Sequence, residues 1–77
     1  PRFYLAEKGN FMEKNFVFVI SGRVFEGDEY IEEMRIPVAV KGTSYEEARA
    51  VALEMAQSIS RGYNESILQF YYRICSK

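Results

Sequence analysis

The chain is 77 residues long with a formal net charge of −1, no His, no Trp and a single Cys. That length supports one small domain whose net stability is only ~3–5 kcal/mol, and a lone thiol excludes an internal disulfide framework. The lack of His removes the commonest general base and metal ligand, and the charge balance leaves no strongly basic field to draw phosphates from a distance.

Residues 1–14 form an N-terminal arm or a short edge strand, and residues 15–77 the single domain. In the arm, Arg2–Ala6 suits an edge strand and Glu7–Asn10 a turn. Its Phe3, Tyr4, Leu5 and Phe11 have the character to pack on the body. No apolar run approaches the ~20 residues that a membrane-spanning helix needs. Pro1-Arg2-Phe3-Tyr4 shows no signal-peptide pattern, so the expected location is cytoplasmic.

From about Asn15 to Phe25 and from about Tyr30 to Val40 the apolar residues fit strands. Glu26-Gly27-Asp28-Glu29 between them reads as a hairpin turn, with Gly27 free to take positive φ. Pairing outward from that turn opposes Phe25 to Tyr30, Arg23 to Glu32, Val19 to Ile36 and Val17 to Val38. In this register Phe16, Phe18, Ile20 and Val24 share a face with Ile31, Glu33, Arg35, Pro37 and Ala39. Pro37 lacks an amide donor and places the second strand at a sheet edge.

From Tyr45 to Arg61 the period changes. Ala48, Val51, Ala52, Met55, Ala56 and Ile59 draw one apolar stripe along a helix. Thr43 with Glu46, or Ser44 with Glu47, completes a capping box. Gly62 is the expected stop. The last strand spans about Ile67 to Cys75, with Leu68, Phe70, Tyr72 and Ile74 on one face and Ile67, Gln69, Tyr71 and Arg73 on the other. A right-handed crossover lays it parallel to the second strand. The expected fold is therefore α+β: a three-stranded, mainly antiparallel sheet in β-β-α-β order, strand one central, with one helix on one face. In that arrangement Phe16, Phe18 and Ile20 lie on the helix-free face, an exposed apolar surface of the kind that marks an interface.

The residues offer little chemistry. Cys75 has no His to activate it. Zinc ligands are missing, and Val40-Lys41-Gly42-Thr43-Ser44 is a capped helix entry rather than a phosphate loop. Residues 26–33 concentrate Glu26, Asp28, Glu29, Glu32 and Glu33 without a base. This is a solvated hairpin tip, or a negative prong for a basic protein surface; its spacing fits neither a calcium loop nor a catalytic carboxylate pair. No catalytic residue, cofactor or metal is expected.

Arg35-Ile36-Pro37-Val38-Ala39-Val40, followed by Thr43, Glu47-Ala48 and Ala52, resembles the small phage T7-type inhibitors of bacterial RNA polymerase. The resemblance runs from about Phe16 to Cys75. It implies a strand–strand–helix–strand protein without catalysis that binds the polymerase jaw and blocks promoter engagement. The family's last strand carries arginines, and Arg73 stands in the comparable place. The longer hairpin and the N-terminal arm depart from the pattern.

The expected function is a protein-binding module with a bacterial partner or a second copy of itself. Phe16, Phe18, Arg35, Tyr71 and Arg73 form the expected contact surface, and Glu32 and Glu33 a second contact at the hairpin. The alternatives are a single-strand nucleic-acid platform built from the sheet aromatics and arginines, which the negative charge disfavours, and a homo-oligomeric structural protein.

Overall fold

A computed structural model of the chain describes residues 12–76. Its elements run β1 (Lys14–Glu26), β2 (Glu29–Gly42), α1 (Tyr45–Asn64) and β3 (Gln69–Ser76). The sheet order is β2-β1-β3, and β1 is antiparallel to both neighbours. This is the α+β arrangement with strand one central. Pro37 lies on edge strand β2. The arm expected over residues 1–14 falls, for 1–11, outside the described residues; Lys14 already belongs to β1.

The hairpin turns at Gly27-Asp28, with Gly27 at φ 61°. Phe25 pairs with Tyr30 as expected, but the register then slips between Val24 and Phe25. Ile31 is the extra residue, so Arg23 meets Glu33, Val19 meets Pro37 and Val17 meets Ala39. The physical reason is burial. Without the bulge, Ile20 would sit opposite Arg35 and Gly22 opposite Glu33, forcing charges beneath the helix. With it, Phe16, Phe18, Ile20 and Gly22 oppose Val40, Val38, Ile36 and Met34. The largest apolar side chains of the hairpin's body then share the helix face, and Arg35 and Glu33 leave it, as a one-residue shift permits.

The helix covers that face. Ala48, Ala52 and Ala56 are fully buried against it. Phe18 and Val40 pack with Ala48 and Ala52, while Ile20, Val24 and Phe70 pack with Ala56. Small residues on the stripe bring the helix backbone close to the sheet. At the sheet's centre Gly22 leaves room for the Phe70 ring, which lies over it. That ring is stacked on Tyr63 at 5.2 Å and on Tyr72 at 5.9 Å.

Both ends of the helix are tied down. Ser44 is the N-cap, its Oγ accepting from Glu47 N at 3.1 Å. The Glu47 carboxylate accepts from the Thr43 amide at 2.6 Å and the Thr43 hydroxyl at 2.9 Å. Those two donors, backbone amide first, hold the Glu47 carboxyl below its ordinary pKa. Tyr45 sets its ring against Phe18 at 5.6 Å and Phe16 at 6.3 Å, and its hydroxyl bonds Ser76 at the end of β3. Gly62 does not stop the helix, which continues to Asn64 and is capped by Glu65, whose amide bonds Arg61 O. Tyr63 explains the extension, since its ring must reach Phe70 and its hydroxyl donates to Met34 Sδ at 3.4 Å.

Candidate functional site: the helix-free sheet face

The bulge decides which residues reach the open face. Phe16 and Phe18 do not, which corrects the expectation from sequence. Phe18 is fully buried beneath the helix, and Phe16 is half-buried beside Tyr45 on the same side. Ile20 and Val24 are likewise core. Removing the aromatic anchors makes the open face less greasy than the sequence register implied.

The open face instead carries cross-strand rows of mixed character. Glu33, Arg23 and Tyr71 form one row, and Arg35, Ser21 and Arg73 the next. Pro37, Val19 and Cys75 form the third. Arg35, Tyr71 and Arg73, three of the expected contact residues, are thus brought together, and Arg23 joins them. With neighbouring strands ~4.8 Å apart, Arg35 and Arg73 stand roughly 10 Å apart across Ser21. Toward the hairpin tip the ring of Phe25 meets Tyr30 and Tyr71, both at 5.7 Å and both edge-on. Tyr71 is 63% exposed, so this cluster is presented rather than buried. A shallow groove of about 310 Å³ runs along Ser21, Arg23, Glu33, Tyr71, Tyr72 and Arg73.

Sequence reasoning left Arg23 out of the expected protein-contact surface and Phe25 off this face. Their signal was present, since alternation from Val17 and Val19 leads to both, but the register placed Arg35 and Glu33 on the other side.

The acidic hairpin divides as its alternation requires. Glu33 stands opposite Arg23 on the open face, whereas Glu32 stands opposite the buried Val24 on the helix side. Both are exposed. Only one carboxylate therefore dilutes the three arginines of the open face; Glu26, Asp28 and Glu29 cluster around the turn.

Among the described residues no group of three or more His, Cys, Asp or Glu is placed to hold a metal ion. None of the helices among them is long and apolar enough to cross a membrane. Cys75 is a free, half-buried thiol. No family model, curated protein or solved structure matches the chain.

Proposed function

We propose that the protein is a non-catalytic protein-binding module that docks through its helix-free face, on a bacterial partner such as the host RNA polymerase. The observation that carries this reading is the convergence of Arg23, Arg35, Arg73 and Tyr71 on one exposed surface beside Phe25 and Tyr30. Arginine and tyrosine are the residue types that anchor interfaces: they combine large contact area with directional hydrogen bonds. The hairpin carboxylates Glu32 and Glu33 supply a second contact, one that steers encounter more than it holds the complex. The polymerase as target rests on the sequence resemblance alone.

The same face favours a second reading. Exposed aromatics flanked by arginines on a sheet can stack the bases of a single strand. The turn carboxylates and Glu33 oppose it, because a phosphate chain tracking the hairpin would pass all of them. The two readings separate in one titration series. Purified bacterial RNA polymerase and a single-stranded oligonucleotide are each titrated at rising salt. Saturable binding of the polymerase with little response to the oligonucleotide supports the protein-docking reading. Oligonucleotide binding that falls steeply with salt, with no polymerase bound, replaces it by the nucleic-acid one.

A further inference from the structure

The two edges of the sheet differ in how they are protected. β2 is long, but its outer edge carries Pro37, which cannot donate, and is studded with Glu29, Glu32, Glu33, Arg35 and Lys41. Those are the usual devices against unwanted pairing. β3 has far fewer of them: its eight residues, Gln69–Ser76, hold no Pro and a single charge, Arg73. Among the described residues its outer edge has no strand partner. On the helix side Tyr72 and Ile74 remain half-buried at that edge, and on the open side Tyr71 is largely exposed.

We propose that β3 pairs with the β3 of a second copy of this chain, antiparallel about a two-fold axis at Tyr72, giving a continuous six-stranded sheet. The register follows from the side chains. Directly opposed residues share a face, so any register that opposes even-numbered to odd-numbered positions would set core-side residues against open-face ones. Two alignments remain that pair seven residues. One opposes Arg73 to its own copy, placing like charges directly across from each other, which is unfavourable. The other opposes Tyr72 to Tyr72, Phe70 to Ile74, Tyr71 to Arg73 and Gln69 to Cys75. It sets an arginine beside a tyrosine ring twice over, an attractive pairing, and covers the half-buried Tyr72 and Ile74. The interface is isologous and closes at two copies. Both helices lie on one side and both open faces on the other, so the proposed docking surface is doubled rather than consumed.

The lone cysteine makes the register measurable. In the proposed dimer Cys75 faces Gln69 of the second copy, within the span a disulfide bridges. The two Cys75 residues lie six positions apart along the strands, ~20 Å, too far to join. Sedimentation equilibrium of the native chain over a concentration series is the first arm; mild oxidation of the Gln69→Cys and Tyr71→Cys variants is the second. A concentration-dependent monomer–dimer equilibrium with a covalent dimer from Gln69→Cys, and little from Tyr71→Cys or the native chain, is expected. Preferential cross-linking of Tyr71→Cys, a native chain that stays monomeric at every concentration, or no cross-linking of either variant overturns the proposal. A monomer that still binds its partner through Tyr71 and Arg73 overturns only this dimer and leaves the docking reading standing.

Discussion

Gly22→Ala isolates the contact on which the sheet's centre depends. A methyl group at residue 22 would enter the space of the Phe70 ring. That ring is 4% exposed and stacked between Tyr63 and Tyr72, so it has no free direction in which to retreat. Over-packing a filled core costs ~1–3 kcal/mol. Against this, replacing a strand glycine by alanine recovers roughly 0.5–1 kcal/mol of backbone entropy. The collision wins, and the net destabilisation is about 1 kcal/mol, with an upper bound near 2.5 kcal/mol from the same two figures. In a domain of this size 1 kcal/mol lowers Tm by roughly 4–8 °C. Urea and thermal unfolding followed by circular dichroism read both quantities. The double variant Gly22→Ala/Phe70→Leu, which removes the ring the methyl strikes, should be less unstable than the sum of its parts. A Gly22→Ala protein as stable as the native one, or strictly additive variants, would refute the packing of Phe70 over Gly22.

Four further outcomes follow from other residues. Phe18→Ala empties the centre of the core, at a cost of ~3–5 kcal/mol; this matches the whole expected stability, so the variant should show no cooperative unfolding transition, and a native-like transition would contradict the burial of Phe18. Ser44→Ala removes the helix N-cap and should cost ~1 kcal/mol in urea unfolding. Because the Glu47 carboxyl is lowered by its Thr43 hydrogen bonds, its contribution is fully present above its ordinary pKa of 4.5 and is lost as pH falls through the lowered folded value. Glu47→Gln should therefore flatten the acid limb of the stability profile, and an unchanged limb would dismiss that bond. Reversing charge with Glu32→Lys and Glu33→Lys should slow association with a basic partner surface at low salt and little at high salt; stopped-flow rates equal to those of the native chain at low salt would remove the steering role.

Much of the fold is legible in the order of residues. Period-two runs gave β1, β2 and β3, the alanine stripe gave the helix, and Pro37 gave the edge. What resisted was one residue of register. Gly27-Asp28 fixes the pairing of Phe25 with Tyr30, but the pairing beyond it is fixed by which residues the helix must cover. That is a tertiary demand, and it is met by setting Ile31 aside in a bulge. A search for the register that collects Ile20, Ile36, Phe18 and Val38 on one face would have found it, because the alternative places Arg35 beside Ile20. The same slip explains the misplaced Phe16 and Phe18, whereas Tyr71 and Arg73 were placed correctly because β3 contains no bulge. The helix end was misjudged for a related reason. Gly62 is a local stop signal, and the stacking of Tyr63 on Phe70 outweighs it.

The docking reading stands or falls on which side of the sheet meets the partner. The measurement that decides it compares two folded double variants in the same polymerase titration. One, Tyr71→Ala/Arg73→Ala, alters the open face; the other, Arg49→Ala/Gln57→Ala, alters exposed positions on the helix. Anchor residues cost more than ~1 kcal/mol each when truncated, so the sheet variant should lose at least about tenfold in affinity (1.4 kcal/mol), and the helix variant should bind as the native chain does. Native affinity in the sheet variant, with its unfolding transition intact, would contradict the helix-free face as the site.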